Sequence, residues 1–206
     1  MKKLALLISG VVIGLALTAT AAFVGRQFAG PPPLNPADLH GLVLDSPRLS
    51  ADFTLKNSAG QPVRLSDYRG QLALIFFGYA SCLDVCPATL NDLARAVKSL
   101  GDRAKDVQVI FVTIDPDRDT PELAAQYALA FHPDFIGLSG TSDEIAAVAA
   151  PLGVFYQKQT GTGASGYVMD HTSLVTVVDR QGYIRLLWPT GVKSDEMTAD
   201  LRLLLR

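Results

Sequence analysis

The feature that most constrains the fold is an apolar run at residues 72–77 that leads into two cysteines and then into a helical pattern. A continuous apolar run of this length is typical of a strand buried on both faces. Apolar residues at 87–100 then recur with the period of an α-helix. The sequence therefore predicts that Cys82 and Cys86 lie on a turn between a buried strand and a helix.

The rest of the chain completes an α/β pattern. Turn residues and alternation predict hairpins at 53–65 and 173–188, a buried strand at 107–114, and helices at 120–131, 143–150 and 194–206. Buried strands that alternate with helices, followed by an antiparallel hairpin and a last helix, indicate an α/β/α sandwich with a mixed central sheet. A cysteine pair between the first buried strand and its helix is a thioredoxin-like placement.

The N-terminal segment is much more apolar than the rest. Lys2 and Lys3 precede an uncharged stretch, residues 4–24, which is long enough to span a bilayer as a single helix. The two lysines favour a cytoplasmic N-terminus and an exported domain. Alternatively, Ala19-Thr20-Ala21 resembles a cleavage site, and the segment is a removed signal peptide. We predict an inner-membrane anchor with a periplasmic domain, and a soluble periplasmic domain if the segment is cleaved.

The domain organisation follows from composition. Residues 25–37, with Pro31-Pro32-Pro33 at their centre, predict an extended linker, and residues 38–206 form one predicted domain behind the segment at 1–24.

The 18 basic and 20 acidic residues give a formal net charge of −2 without a basic stripe. This balance excludes a nucleic-acid-binding surface.

The cysteine pair carries the chemistry. If Cys86 begins the helix, unpaired N–H groups and the helix dipole lower the pKa of its thiol. Two convergent thiols can form a disulfide, exchange with another disulfide, or bind a soft metal ion. A purely structural disulfide contributes little here, since closing a loop of about five residues is worth only about 2 kcal/mol.

A metal site needs a third ligand. His171 lies in a short polar segment, residues 169–173, that leads into an apolar strand, whereas His40 is expected to be solvated and His132 to interact with the end of a helix. Two thiolates and an imidazole suit Cu(I) and tolerate Cu(II) with added ligands, while structural zinc takes four protein ligands. Possible additional groups are the thioethers of Met169 and Met197 and the carboxylates of Asp84 and Asp170.

Three motifs, in this order, resemble the Sco/SenC family over roughly residues 48–205. They are Gly78-Tyr79 followed by Cys82-Leu83-Asp84-Val85-Cys86-Pro87, then Thr113-Ile114-Asp115-Pro116-Asp117-Arg118-Asp119-Thr120, then Asp170-His171-Thr172. The chain departs from the family where proline commonly follows the first cysteine and Thr-His precedes it. The departing residues are Leu83 and Ala80-Ser81.

The resemblance implies a thioredoxin-like, membrane-tethered domain that binds copper, as Cu(I) or Cu(II), through Cys82, Cys86 and His171. It also implies delivery of copper to the CuA centre of cytochrome c oxidase, with the CuA-bearing subunit or another periplasmic copper chaperone as partner. Two alternatives remain open. Cys82 and Cys86 are the catalytic residues if the protein is a thiol–disulfide oxidoreductase that reduces the CuA cysteines, and the signalling pair if it is a redox sensor.

Overall fold

Six strands of this protein form one mixed sheet in the computed structural model, which describes residues 31–160 and 166–206. Four other strands form two separate two-stranded sheets. The strands are β1 (Leu42–Leu49), β2 (Thr54–Lys56), β3 (Pro62–Arg64), β4 (Leu72–Gly78), β5 (Val107–Thr113), β6 (Ile136–Leu138), β7 (Tyr156–Thr160), β8 (Tyr167–His171), β9 (Leu174–Val178) and β10 (Tyr183–Pro189). The α-helices are α1 (Val85–Lys98), α2 (Pro121–Leu129), α3 (Ser142–Ala149) and α4 (Ser194–Leu204).

The six-stranded sheet has the order β1-β10-β9-β4-β5-β6. β4, β5 and β6 are parallel, whereas β9 is antiparallel to β4, and β10 pairs antiparallel with both β9 and β1. Every residue of β4 is buried, which is what its unbroken apolar sequence predicts for a central strand. The mixed sheet predicted from the sequence is confirmed.

The helices begin where the sequence provides a cap. Thr120 accepts a hydrogen bond from the Leu123 N–H and is followed by Pro121 in the first turn of α2. Thr141 and Glu144 form a capping box at the start of α3. α1 packs against α4, and α2 lies so close to β6 that a Cβ atom on Gly137 would overlap the backbone of Ala124.

Two sheet elements are not predicted by the hydrophobic patterns of the sequence. β1 is an edge strand with an irregular register against β10, and β7 and β8 form a hairpin with mostly exposed residues. His171 is therefore the last residue of a strand, in a segment that the sequence marks only as polar. Both elements lack the apolar alternation by which a half-buried strand is recognised.

A buried carboxylate ties the start of the domain to the last helix. Asp200 is fully buried and accepts hydrogen bonds from the Trp188 Nε1 at 2.8 Å, the His40 N–H and His40 Nδ1 at 2.9 Å each, and the Gly41 N–H at 3.1 Å. We call these four residues the Asp200 cluster. The side chain of His40 is 44% exposed, so the expectation of a solvated histidine holds for only part of its surface.

The predicted membrane segment, residues 1–24, lies outside the described residues, as do residues 25–30 of the predicted linker. The proposed domain boundaries stay a prediction. Within residues 31–160 and 166–206, none of the helices has both the length and the apolar character required to cross a bilayer.

Candidate metal centre

Parallel pairing of β4 and β5 brings two loops to the same edge of the sheet. Gly78 and Thr113 are partners in the register, and the Ile114 N–H donates to the Gly78 carbonyl at 2.8 Å. The loop after β4 carries Cys82 and leads into α1, whose second residue is Cys86. The carboxyl ends of the central strands thus position the cysteine pair beside the loop at 114–119.

Cys86 is packed deeply under this edge. Its side chain is fully buried, and a Cβ atom on Gly78 would lie only 2.8 Å from its sulfur. Glycine at position 78 therefore allows the strand to approach the Cys86 Sγ this closely. The reason is the missing Cβ atom, and not a backbone conformation that favours glycine. Cys82 is half-buried, and Leu83 between the two cysteines is 96% exposed.

The two thiols have opposite acidities. Cys82 has a pKa lowered to about 5, chiefly because the Cys86 thiol donates a hydrogen bond to its sulfur, with further help from the backbone N–H groups of Asp84 and Cys86. The same hydrogen bond, together with burial, raises the pKa of Cys86. Cys82 is therefore the thiolate at neutral pH, and Cys86 retains its proton.

This result corrects the prediction that the helix N-terminus lowers the pKa of Cys86. The N–H groups at the start of α1 point at the sulfur of Cys82, which lies outside the helix, and not at the buried sulfur of Cys86. Spacing alone does not distinguish the two cysteines, because both lie within one turn of the helix start.

Tyr79 connects the cysteine pair to the β7–β8 hairpin. Its hydroxyl donates to the Cys82 sulfur and accepts from the backbone N–H of Met169 on β8. Burial, followed by the nearby Cys82, raises the pKa of Tyr79. The ring also meets the His171 ring edge-on, with centroids 6.1 Å apart, so one side chain contacts both parts of the site.

His171 directs one ring nitrogen at the cysteine pair. Its Nδ1 lies 3.1 Å from the carbonyl of Thr172, which can only accept, so Nδ1 carries the proton. The Nε2 atom, 3.9 Å from the Cys86 Sγ, is left with its lone pair toward the sulfur. The orienting group is thus the Thr172 carbonyl, since Asp170 is exposed.

The sulfurs of Cys82 and Cys86 and the imidazole of His171 are donors that suit a soft metal ion. They are not yet arranged around a single ion position. A sulfur at about 2.3 Å and a nitrogen at about 2.0 Å from one ion, as at zinc sites, lie at most about 4.3 Å apart. The 3.9 Å between Cys86 Sγ and His171 Nε2 falls within that limit. Within the described parts of the chain, no group of three or more histidine, cysteine, aspartate or glutamate side chains is already arranged to hold a metal. The Cys82–Cys86–His171 ligand set stays a prediction.

The other candidate ligands have structural surroundings. His132 Nδ1 accepts from the Asp134 N–H at 3.2 Å, so it completes a turn, where the sequence suggested a contact with helix carbonyls. It lines a groove beside the first residues of β5, at the opposite end of that strand from the cysteines. Met169 and Met197 are buried in the core. Asp84 is exposed and its side chain does not cap α1.

Asp119 is a site residue whose role the sequence did not reveal. Its carboxylate is buried and accepts from the Ala80 N–H at 2.8 Å and the Thr113 hydroxyl at 2.6 Å. Burial raises its pKa. Because Ala80 lies two residues before Cys82, Asp119 fixes the path of the cysteine loop. In the sequence, Asp119 stands out only as a member of the Thr113–Thr120 motif.

The fold and the paired thiols at the end of β4 define a thioredoxin-like protein with a two-cysteine site. A sequence model described as SCO1/SenC matches residues 43–206. The chain belongs to the SCO1/SenC family.

Individual relatives agree with this assignment. An SCO2-like protein of Rickettsia felis is 37% identical over 139 residues, which are 67% of this chain and 68% of that protein. The solution structure of apo Sco1 from Thermus thermophilus superposes with a TM-score of 0.74 at 43% identity, covering 81% of this chain and 96% of that one. The copper-bound structure of Bradyrhizobium japonicum ScoI gives a TM-score of 0.69 at 35% identity, covering 76% and 99%.

Proposed function

We propose that this chain binds one copper ion through Cys82, Cys86 and His171 and delivers it to the CuA centre of cytochrome c oxidase during assembly. The observation that carries the proposal is that the Nε2 of His171 lies 3.9 Å from the Cys86 sulfur, with Nδ1 of the same ring held by the Thr172 carbonyl. The solved relative from Bradyrhizobium japonicum with copper bound supports the choice of metal. The oxidase assignment rests on the family resemblance of the three motifs.

The donor chemistry supports binding and release of Cu(I). Two sulfurs and an imidazole are soft ligands that suit Cu(I), and the low pKa of Cys82, about 5, supplies one thiolate without a cost at neutral pH. Cys86 must lose its proton when the metal binds. Acceptor cysteines can then replace the three ligands one at a time, so that the ion is passed on without being released to water.

The test is a copper titration of the reduced protein against a Cu(I) chelator. We expect about one Cu(I) per chain, and His171→Ala is expected to lose tight binding while it keeps a Cys82–Cys86 pair that can be oxidised and reduced. His132→Ala is the matched control, because His132 lies at the other end of β5, and it should bind as the unmodified protein does. Tight stoichiometric copper in His171→Ala would contradict the three-ligand assignment.

A second function is favoured by the unequal pKa values of the thiols, which suit a thiol–disulfide reductase. The Cys82 thiolate would attack a partner disulfide, form a mixed disulfide and release one partner thiolate. Cys86, after giving up its proton, would attack the Cys82 sulfur and release the second partner thiolate. Two electrons pass to the partner, and the protein is left with a Cys82–Cys86 disulfide that an external dithiol must reduce.

The two functions differ in their need for His171. Copper-free protein and its His171→Ala variant should reduce a CuA-domain disulfide equally well if the reductase reaction is the function. We expect slow reduction and efficient copper transfer to the reduced CuA domain. Fast reduction by both proteins, without copper transfer, would favour the reductase. A redox sensor would do neither and would respond only by cycling its own disulfide.

We also propose a place in the cell for this activity. Residues 1–24 have the charge and apolar length of an inner-membrane anchor, so the domain would face the periplasm, where the CuA-bearing subunit or another copper chaperone is the partner. Alkaline extraction of membranes from cells that express the full chain tests the anchor. Retention in the membrane pellet is expected, whereas a soluble product that lacks residues 1–24 would show that the segment is cleaved.

A further inference from the structure

The predicted ligand His171 is carried by an element that is not part of the main sheet. β7 and β8 pair only with one another among the described strands, and residues of β7 such as Lys158 are exposed. The ligands Cys82 and Cys86, in contrast, are anchored at the end of the central strand β4. The distance between His171 and the cysteines therefore depends on the short link from His171 to β9 and on the contacts that join this hairpin to the domain.

The loop after β5 makes this connection through buried and charged groups. Asp115 is buried and accepts from the Tyr167 hydroxyl at 2.8 Å and from the Arg118 Nε. The Arg118 Nη1 donates to the Tyr167 carbonyl at 3.3 Å. On the outer side, Lys158 forms an ion pair with Asp117 at 2.8 Å. We call Asp115, Arg118 and Tyr167, with the Asp117–Lys158 pair, the clasp.

Arg118 is the centre of the clasp. Its guanidinium carbon lies 3.8 Å from the centroid of the Tyr167 ring on the hairpin and 5.7 Å from that of the Tyr79 ring on the cysteine loop. A planar guanidinium can stack on aromatic rings and donate hydrogen bonds in its own plane at the same time. Among the described residues its buried Nη2 atom has no hydrogen-bond partner, and the side chain is held by these stacking contacts and by its hydrogen bonds to Asp115 and Tyr167.

The same loop also holds the cysteines. Asp119, next to Arg118, accepts from the Ala80 N–H, while the hydroxyl of Tyr79 donates to Cys82. One short segment thus touches the cysteine loop on one side and the His171 hairpin on the other. Loss of the Arg118 side chain would loosen the hairpin without breaking a hydrogen bond of the six-stranded sheet, while the Tyr79–Met169 hydrogen bond and the buried Met169 side chain would still hold part of it.

We infer that Arg118 is a positioning residue for copper binding, which holds the β7–β8 hairpin against the cysteine loop so that His171 faces the thiols. The inference rests on the proposed copper site. Arg118 touches neither the ion nor its predicted ligands in this role, and acts through Tyr167 and Tyr79. Loss of the clasp should weaken the contribution of His171 and leave that of the two sulfurs intact.

The affinity test is a double-mutant cycle on the reduced protein with Cu(I) and a competing chelator. Arg118→Ala is expected to lower copper affinity about 10- to 100-fold, the usual effect of losing a group that orients a metal ligand. In a His171→Ala background the same change should have no further effect. Arg202→Ala, an exposed arginine whose side chain donates to the Ser99 carbonyl at 3.0 Å, is the control. An equal loss in both backgrounds would overturn the inference.

A second measurement uses the metal-free protein and so separates the two proposals. Amide hydrogen exchange in β7 and β8 should become faster in Arg118→Ala, while exchange in β4 and β5 stays unchanged. Tyr167→Phe, which removes only the hydroxyl bond to Asp115, should give a smaller effect in the same direction. If the unmodified protein binds no copper, the proposed function fails, yet faster hairpin exchange would still support the clasp. Unchanged hairpin exchange, or a general increase across the sheet, would overturn it.

Discussion

The Asp200 cluster and the Cys82–Cys86–His171 site differ in how completely their polar groups are paired. Asp200 is surrounded by four N–H donors at 2.8 to 3.1 Å, so each donor near it has an acceptor. At the site, a sulfur and a ring nitrogen face each other at 3.9 Å, and one thiol serves as the donor to the other. The Asp200 cluster, with all its donors paired, fixes the chain, whereas the incompletely paired site would have lone pairs available for the ion that we propose it binds.

The largest effect that separates the two regions is expected from Asp200→Ala. The change leaves the buried Trp188 Nε1 and the partly buried donors of His40 and Gly41 without this acceptor, and it should lower the free energy of unfolding by about 3–5 kcal/mol. Denaturant unfolding at neutral pH measures it, with exposed Asp195→Ala as a control that stays within about 0.5 kcal/mol. A loss below about 1 kcal/mol would contradict a structural role for Asp200. A copper affinity that falls along with stability would contradict the separation of the Asp200 cluster from the metal site.

A smaller effect is expected at the thiols. In Cys86→Ala, the main hydrogen-bond donor to the Cys82 thiolate is gone, so the pKa of Cys82 should rise from about 5 toward its ordinary value. We expect a rise of at least one pH unit, which is worth about 1.4 kcal/mol. The rate of alkylation of Cys82 as a function of pH reports it.

The pH dependence of the Cys82 alkylation rate should differ between the unmodified protein and Cys86→Ala. With both cysteines present, Cys82 is ionised above about pH 5, and its alkylation rate should be level across the neutral range. In Cys86→Ala the rate should still be climbing at neutral pH. A level profile in the variant would mean that the helix N–H groups, and not Cys86, keep Cys82 ionised.

The smallest effect concerns His40, where the hydrogen bond to Asp200 raises the pKa of the ring. A histidine with a raised pKa stabilises the folded state fully below its unfolded value near 6.5, and this contribution disappears as the pH rises through the folded pKa. Because the side chain is 44% exposed, the effect should be under about 1 kcal/mol. The stability difference between the unmodified protein and His40→Ala should therefore shrink from pH 6 to pH 9. A difference that grows with pH would contradict it.

Much of the fold follows from local patterns in the chain. The buried strand before Cys82, the helix after it, the Thr120-Pro121 cap and the β9–β10 hairpin each appear as predicted, within a few residues at their ends. They are predictable because each has its own periodicity or capping residue. Parallel pairing of β4, β5 and β6 follows from the helix-containing crossovers between them.

The remainder depends on contacts between distant residues. Arg118 and Tyr167 are 49 positions apart. In β7 every residue after Tyr156 is exposed, so its sequence lacks the apolar alternation that marks a strand. The assignment of the low pKa to Cys82 depends on which sulfur the backbone N–H groups point at. Such information exists only once the chain is folded.

In the proposed function, the β7–β8 hairpin would set the rate of metal exchange. A ligand on a ribbon that shares no strand pairing with the six-stranded sheet can leave an ion by a local motion, which occurs on a microsecond-to-millisecond timescale and not on that of unfolding. Residence time of the ion and lifetime of the fold are then independent quantities. A stable domain can hold copper tightly and still surrender it quickly to a partner that offers better ligands.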